Sequence, residues 1–339
     1  MTAVLELWFA PIVAALAWVG TVALRRYGLQ KLLDVPNERS SHAQPIPRGG
    51  GVAIVLSFAA GALVLWARGA MPDRLMLALV AGGGLVAAVG FWDDHVNLSA
   101  RLRLALHVVA AVIAVTLLGP VQHLPLAGAT WLVPTWVAWP VSVVAVCWLL
   151  NLYNFMDGID GIAAGEAVSV ALAAALIAGL VGVSTPGLLL LAAAAAGFLA
   201  LNWPPARIFM GDAGSGFLGY VFGVYLLFSA NTDARLVWVW VILLAVFWVD
   251  ATITLARRAA AGQRWYAAHR THAYQHAAVR LGRHRPVTLA VIAINALVLL
   301  PFAAFAALRP QHAYICATVA TVALAGTALA LGAGRNVTR

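Results

Sequence analysis

The sequence contains few charged residues. Of its 339 residues, 10% are Asp, Glu, Lys or Arg, whereas 63% are hydrophobic. Soluble domains carry a charge on about a quarter of their residues, so this chain has too few charges to cover a soluble surface. Intrinsic disorder is excluded as well, because the chain is apolar and rich in Trp and Phe. These absences leave a polytopic membrane protein.

Cysteine is nearly absent. Cys147 and Cys316 both lie in apolar runs, which supports neither a disulfide framework nor a Cys-ligated metal site. Short alternating segments are lacking too, although a membrane barrel would require them. The sequence therefore predicts an all-α fold.

Eleven apolar runs are long enough to cross a bilayer as helices, since a crossing takes about 20 residues. They lie near residues 3–24, 49–67, 75–92, 102–118, 136–153, 161–182, 186–203, 213–229, 236–256, 287–306 and 313–332. We therefore expect one transmembrane catalytic domain over residues 1–339.

The basic residues predict the orientation. With the N-terminus outside and the C-terminus in the cytoplasm, 17 of the 21 basic residues fall in inner segments. Inner loops of membrane proteins are enriched in Lys and Arg, so this orientation is favoured. The net charge of +9 then reflects orientation and affinity for anionic lipids, and no nucleic-acid partner is expected. The predicted location is the bacterial cytoplasmic (inner) membrane.

The carboxylates are few and concentrated at the inner side. Asp93 and Asp94 end the third run, Asp157 and Asp160 follow the fifth, and Asp212 begins the eighth. Paired loop charges are one interpretation, but ionisable groups where apolar helices end favour a functional site. Their convergence requires a cation, and oxygen ligands suit Mg²⁺, with Mn²⁺ as an alternative.

Two further acidic residues, Glu166 and Asp250, lie a turn or two inside the membrane from the same face. The glycines around Asp212 allow two interpretations. Gly211, Gly214 and Gly216 permit close approach of a phosphate to a helix start. Helix packing is the alternative, with a GxxxG pair further along the same run.

Two inner loops offer anion-binding groups. The first contains His42 and Arg48, and a triple glycine follows. The last contains His269, Arg270 and His272. A histidine-ligated zinc site is conceivable there, but the interleaved arginines favour a phosphate clamp. We interpret His107, inside the fourth run, as a hydrogen-bonded core residue.

Five motifs in order resemble those of the polyprenyl-phosphate N-acetylhexosamine-1-phosphate transferase superfamily, which is also called glycosyltransferase family 4. The superfamily includes phospho-MurNAc-pentapeptide translocase and the O-antigen-initiating undecaprenyl-phosphate sugar-1-phosphate transferases. The motifs are Asp34-Val-Pro-Asn with Arg39-Ser-Ser-His and Pro47-Arg-Gly-Gly-Gly, Asp93-Asp94 with Leu98-Ser99 and Arg101-Leu102, Asn151 to Gly161, Asn202 with Phe209-Met-Gly-Asp212-Ala-Gly-Ser, and Asp250 with Arg257-Arg258 and the histidine loop. Eleven spans also agree with the O-antigen branch.

The resemblance implies a reaction and partners. A UDP-sugar would give its sugar-1-phosphate to undecaprenyl phosphate, with Mg²⁺ required and UMP released. The sugar would be an N-acetylhexosamine or a deoxy-aminosugar, and the product would initiate an O-antigen-like cell-surface glycan. The lipid bilayer is the third expected partner. The resemblance is compatible with both a monomer and a homodimer.

The resemblance also implies residue roles. Asp212 would hold the metal, and Asp93 and Asp94 would act on the lipid phosphate. Asn154, Asp157, Asp160 and Asn202 would line the nucleotide site, with Phe209 stacked on uracil. The loops with His42, Arg48, His269, Arg270 and His272 would contact phosphates.

One departure concerns the last loop, which reads His269-Arg-Thr-His272-Ala-Tyr-Gln. Many relatives have a run such as His-Leu-His-His, whereas this pattern resembles a branch that starts O-antigen chains with deoxy-aminosugars. It leaves open which histidine contacts the phosphates.

The alternatives concern mechanism and class. Direct attack by the lipid phosphate is favoured over a covalent intermediate on Asp93, because a phosphate monoester is mostly dianionic at neutral pH. A membrane prenyltransferase would carry two Asp-x-x-x-Asp motifs, which this sequence lacks. A secondary transporter would place its ionisable site near the bilayer midplane within an internal repeat.

Overall fold

The computed structural model describes residues 2–34, 45–263 and 269–336, which are mostly helical. The α-helices are α1 (Thr2–Lys31), α2 (Val52–Ala67), α3 (Asp73–Leu77), α4 (Gly83–Val96), α5 (Ala100–Leu118), α6 (Thr135–Met156), α7 (Ile162–Leu180), α8 (Leu188–Asn202), α9 (Asp212–Thr232), α10 (Leu236–Leu243), α11 (Ala245–Ala260), α12 (Ala273–Leu281), α13 (Arg285–Ile294), α14 (Leu300–Leu308) and α15 (Ala313–Leu331). Short π-helical segments, Ala78–Gly82 and Asn295–Leu299, join α3 to α4 and α13 to α14.

Ten of the eleven predicted apolar runs correspond to a helix or a continuous helical segment of the structure, and the run 236–256 corresponds to α10 and α11, which are bent against each other by 67°. Among the described residues, eight helices are long and apolar enough to cross a membrane, and a ninth span results if α10 and α11 are counted as one broken helix. Helices α2 and α8 are apolar but shorter, with 16 and 15 residues. The structure is therefore that expected of a polytopic membrane protein, while the count of eleven spans and the orientation stay predictions.

The predicted helical fold is confirmed, and the described residues add two short strand pairs that the sequence did not predict. A two-stranded antiparallel ladder pairs β1 (Leu33–Asp34) with β2 (Ile46–Pro47). A second pairs β3 (His123–Leu126) with β4 (Ala129–Leu132), in the connection between α5 and α6. Both strand pairs are short and lie between helices, and apolar periodicity does not detect strands of two to four residues.

Helix α9 forms the centre of the bundle, and nearly all of its side chains are buried. It packs against α4 and α6. A Cβ atom on Gly219 would lie 2.5 Å from the carbonyl oxygen of Leu149, and one on Gly223 would lie 3.1 Å from a methyl group of Val146. Both glycines therefore permit the close approach of α6, which confirms the helix-packing interpretation for this GxxxG pair.

Glu166 and Asn295 tie α7 to the π-helical segment in the last third of the chain. Glu166 is completely buried, and its Oε2 accepts a hydrogen bond of 2.6 Å from Asn295 Nδ2. The same amide nitrogen lies 2.8 Å from Ser169 Oγ. Glu166 therefore connects helices, which is a structural role that a sequence motif does not reveal.

We predict that a cysteine at Ala129 is labelled only from outside intact cells and one at Ala261 only from the cytoplasm. Both alanines are exposed, and the prediction follows from the distribution of basic residues. A membrane-impermeant maleimide measures this directly. The native Cys147 and Cys316 are buried, so background labelling should be low. Labelling of Ala261→Cys from outside would contradict the orientation.

Candidate active site

The predicted site begins where α4 ends beside the start of α9. A Cβ atom on Gly90 of α4 would lie 2.4 Å from the backbone nitrogen of Ala213, so the two backbones touch. This contact places the last turn of α4, with Asp93 and Asp94, against Asp212. The structure thus brings Asp212 beside two adjacent carboxylates that lie more than 100 residues earlier in the sequence.

Gly211, which precedes α9, has φ +78° and would place a Cβ 2.5 Å from Asp94 Oδ2. A side chain there would be strained and would collide with the carboxylate. The backbone N–H of Asp212 points at Asp94 and lies 3.3 Å from Oδ1. Glycine at this position therefore allows the start of α9 to approach the Asp94 carboxylate closely, and the predicted approach of a phosphate stays a prediction.

Arg103 links two of the carboxylates. Its Nη1 donates to Asp93 Oδ2 and lies 3.1 Å from Asp212 Oδ2. Asp93 is fixed further by the backbone N–H of Leu98, which donates to its Oδ1 at 2.6 Å. One guanidinium nitrogen thus stabilises two buried or half-buried negative charges. Arg103 was not among the predicted site residues, although it lies two residues beyond Arg101 of the second motif.

Asn154 of α6 holds the other oxygen of Asp212. Its Nδ2 lies 2.9 Å from Asp212 Oδ1 and 2.9 Å from Ser215 Oγ. The structure therefore places Asn154 beside the predicted metal ligand. Its predicted contact with the nucleotide stays a prediction.

Arg48 brings the first inner loop to the same place. Its Nη2 donates to the backbone oxygen of Asp94 at 2.5 Å, and its Nε lies 3.7 Å from Asp94 Oδ1. The glycines after Arg48 pair with the segment before α9, because Gly51 N donates to Met210 O at 2.8 Å. His42 was predicted to act in this loop, but it lies outside the described residues.

The sequence predicts a divalent cation among these carboxylates, and its ligands would come from the side chains described above. Among the described residues, no group of three or more His, Cys, Asp or Glu could hold a metal ion. Mg²⁺, however, commonly takes only one or two carboxylates and completes its shell with water and phosphate oxygens. Asp94 Oδ2 is buried and has no hydrogen-bond partner within the described ranges. An all-oxygen donor set with one unsatisfied buried oxygen fits a hard divalent cation.

The polar atoms of Asp160, by contrast, are paired with other residues of the protein. Its Oδ2 accepts from the backbone N–H of Ala206 at 3.0 Å, and its Oδ1 lies 3.2 Å from His284 Nδ1. Its backbone oxygen accepts from Thr288 Oγ1 at 2.8 Å. Asp160 therefore fixes the loop after α6 to two distant segments.

Asn202 is engaged in the same way. Its Oδ1 accepts from Gly161 N and its Nδ2 donates to Ile208 O, both at 2.9 Å. Like Asp160, Asn202 holds loops together in this structure, and the nucleotide contacts predicted for the two residues stay predictions. Phe209 is half-buried, and its backbone N–H donates to Pro47 O at 2.8 Å.

The histidine loop forms a second group of side chains. The rings of His269 and His272 are stacked with centroids 5.0 Å apart, and His272 stacks in turn on Tyr274 at 5.7 Å. The Tyr274 hydroxyl donates to Phe155 O at 3.0 Å. The row of rings therefore reaches the end of α6, which carries Asn154.

Asp250 caps helix α12, which follows His272. Its carboxylate accepts from the backbone N–H groups of Ala273 and Tyr274 at 2.9 and 3.1 Å, and from Thr254 Oγ1 at 3.0 Å. His272 Nδ1 lies 3.5 Å from the same carboxylate. A carboxylate at a helix N-terminus is stabilised by the free N–H groups there. Asp250 therefore positions the histidine loop, and a role in ion transport is not needed to explain its burial.

Arg270 lines a cavity of about 200 Å³ between the loop after α6 and α12. Gln275, Arg283 and His284 also line it. Guanidinium groups around a cavity favour an anionic ligand, which agrees with the predicted phosphate clamp. His107 lies elsewhere, 3.2 Å from Asn151 Oδ1, which confirms the interpretation of a hydrogen-bonded core residue.

Known proteins resemble the chain over this region. A sequence model of glycosyl transferase family 4 matches residues 76–230. The chain is 32% identical to a probable undecaprenyl-phosphate N-acetylglucosaminyl 1-phosphate transferase of Bacillus subtilis, over 67% of this chain and 64% of the relative. It is 34% identical to the decaprenyl-phosphate N-acetylglucosaminephosphotransferase of Mycolicibacterium smegmatis, over 65% and 56% of the two chains.

A third relative is the phospho-N-acetylmuramoyl-pentapeptide-transferase of Chlamydia muridarum. The identity is 31% over 65% of this chain and 74% of the relative. The chain thus spans less than two thirds of the first two relatives and about three quarters of the third. All three names describe transfer of a phosphorylated sugar, and the first two specify a polyprenyl phosphate.

We predict that Asp157→Asn stabilises the substrate-free protein at pH 8. Burial, and then nearby carboxylates, chiefly Asp212 and Asp94, raise the pKa of Asp157 from 3.8 to about 7. A raised carboxyl pKa costs stability above the folded pKa, and the cost disappears as pH falls toward the unfolded value. Thermal unfolding in detergent should show a midpoint at least about 2 °C higher for the variant at pH 8.

At pH 5 the difference in midpoint should be smaller. The matched control is Asp73→Asn, because Asp73 lies at the end of the α3–α4 segment opposite Asp93 and Asp94, and accepts from Trp66 Nε1. An unchanged or lowered midpoint for Asp157→Asn at pH 8 would show that the negative charge of Asp157 does not destabilise the folded protein.

Proposed function

The chain belongs to glycosyl transferase family 4, the polyprenyl-phosphate N-acetylhexosamine-1-phosphate transferases, and we propose that it transfers a sugar-1-phosphate from a UDP-N-acetylhexosamine to undecaprenyl phosphate. A phosphate oxygen of the lipid forms a bond to the phosphorus that carries the sugar. The bond from that phosphorus to the bridging oxygen breaks, and UMP leaves with the bridging oxygen.

One observation carries the proposal. Asp93, Asp94 and Asp212 converge at one end of the helix bundle with Asn154, and Arg103 and Arg48 compensate their charge. Phosphoryl transfer depends mainly on positioning and on charge neutralisation, and this cluster supplies groups of both signs at a helix start. A lipid acceptor requires its phosphate to meet the donor at the membrane surface, which fits carboxylates at the ends of apolar helices.

Asp212 is the proposed Mg²⁺ ligand, with the free oxygen of Asp94 as a second candidate. The ion, when bound, would neutralise charge on the donor diphosphate. Asn154 orients Asp212 by donating from its Nδ2 to Asp212 Oδ1, and Arg103 holds Asp93 beside Asp212. Asp93 would orient the lipid phosphate and accept its proton when the phosphate is a monoanion. Covalent attack by Asp93 on the donor is the alternative sequence of steps.

The stacked histidines and Arg270 are proposed to contact donor phosphates. Asp250 fixes their loop through the backbone of Ala273 and Tyr274. Asp157 and Phe209 are proposed to contact the uridine. We further propose that the site faces the bacterial cytoplasm, where the UDP-sugar is available.

The donor is the finer part of the proposal. The names of two relatives specify N-acetylglucosamine. The His269-Arg-Thr-His272 pattern favours a donor of the O-antigen-initiating branch, which includes deoxy-aminosugars. Release of UMP from a panel of UDP-sugars, with and without undecaprenyl phosphate, would identify the donor. If UMP release were independent of undecaprenyl phosphate for every UDP-sugar, this result would contradict the transfer reaction.

We predict that Asp212→Asn lowers turnover by at least about 10²-fold while the protein still inserts and folds. The amide removes one charged ligand and keeps the size of the side chain, so metal binding weakens more than packing. Mg²⁺-dependent UMP release from the purified variant measures this. Asp73→Asn, at the opposite end of the α3–α4 segment, should keep normal activity. Normal turnover of Asp212→Asn at ordinary Mg²⁺ would exclude the metal role.

We predict that Asp93→Asn loses most of its rate at low pH and regains part of it as pH rises. The lipid phosphate becomes dianionic through its second pKa, about 6 for a monoester, and then needs no base. Loss of a general base typically costs ~10²–10⁴-fold, so residual activity should be measurable. The pH–rate profile at saturating undecaprenyl phosphate tests this. Background activity at every pH, with both substrates still bound, would favour covalent attack instead.

A further inference from the structure

Residues 332–335, which follow α15, fold back onto the segment that carries His272. Helix α15 ends at Leu331, and Gly332 turns the chain with φ +98°. The backbone N–H of Gly334 donates to Thr271 O at 2.7 Å. The backbone oxygen of Arg335 lies 3.1 Å from His276 Nε2. Hydrogen bonds therefore join these residues to both ends of the segment 271–276.

The same residues are attached to α11. Arg257 Nη1 donates to Ala333 O at 2.6 Å, and Ala333 is completely buried. Ala333 forms a small apolar cluster with Ala273 and Ala328. Residues 332–335 therefore lie wedged between α11, α12 and the end of α15, and we call them the tail clamp.

Two independent attachments hold the segment 271–276. Asp250 accepts from the backbone at Ala273 and Tyr274. The tail clamp binds Thr271 and His276, on either side of those two residues. His272 is 2% exposed, and its ring stacks on His269. Release of the tail clamp would leave this segment attached through Asp250 and through the Tyr274 hydroxyl, which donates to Phe155 O.

We propose that the tail clamp is a positioning element of the active site, which fixes segment 271–276 so that the histidine loop meets the donor phosphates. This inference rests on the proposed function of that loop. A displacement of about 1 Å in a substrate-positioning group can cost 10²-fold in rate. The tail clamp itself contributes backbone groups and needs no contact with substrate.

Gly334→Ala tests the proposal. An added Cβ would lie 2.8 Å from Arg257 Cβ and 3.1 Å from Thr254 O, at a residue with φ +76°. The methyl group should therefore displace the tail clamp. Gly326→Ala is the matched control, because Gly326 lies on α15 shortly before the tail clamp and its added Cβ would meet no neighbouring atom within 4 Å. Arg257→Gln is a second variant, which removes the bond to Ala333 without backbone strain.

The first measurement is amide hydrogen exchange of segment 271–276 in the purified, substrate-free protein. Exchange reports local opening, so both test variants should exchange about tenfold faster there, while Gly326→Ala matches the wild type. The second measurement is steady-state UMP release with UDP-N-acetylglucosamine and undecaprenyl phosphate. We expect the test variants to raise KM for the UDP-sugar about tenfold, with a smaller change in kcat.

Unchanged exchange in both test variants would overturn the proposal. Faster exchange with unchanged KM and kcat would overturn it as well, because the clamp would then hold the segment without serving the reaction. If the wild type releases no UMP with any UDP-sugar, the proposed function fails. Hydrogen exchange then still decides whether residues 332–335 hold segment 271–276.

Discussion

Repulsion among buried carboxylates is the constraint on which the proposed active site depends. Asp93 and Asp212 come from helices α4 and α9, whose backbones touch at Gly90. Without compensation, the like charges of these two carboxylates would push the helices apart. Arg103 lies between them, and Asn154 holds the other oxygen of Asp212. The close contact between α4 and α9 therefore depends on the charge balance of the site.

The constraint also explains why so many residues of the motifs serve the scaffold. Asp160 and Asn202 use their polar atoms on backbone groups of Ala206, Gly161 and Ile208. Asp250 does the same for the start of α12. Buried polar groups are stable only when they are paired, so a site of charged residues at the ends of apolar helices needs a second set of polar residues that hold its loops.

Much of the fold could be predicted because apolar length determines helices in a membrane protein. Each predicted run corresponds to one helix or to consecutive helices, whereas the two strand pairs, β1 with β2 and β3 with β4, were missed because their strands are too short for any periodicity. The convergence of Asp93, Asp94 and Asp212 followed from their shared depth at helix ends. Arg103 was not singled out, since its partners lie on other helices and only the packing of α4 against α9 reveals them.

The distribution of roles between Asp157 and Asp160 shows the same limit. The two residues are three positions apart in one motif, and sequence alone treats them alike. In the structure Asp160 is paired with His284 and Ala206, whereas burial and neighbouring carboxylates raise the pKa of Asp157. Glu166, which sequence grouped with the site, connects α7 to Asn295.

The long sequence separations in the site have a consequence for biosynthesis. The carboxylate cluster uses residues between Arg48 and Ser215, whereas the histidine loop needs Asp250, Thr271 and Gly334. A chain that enters the membrane from its N-terminus can thus assemble the acidic half of the site while the ribosome is still synthesising the other half. The acidic cluster must then remain stable for that interval through Arg48 and Arg103, before the histidine loop has been synthesised.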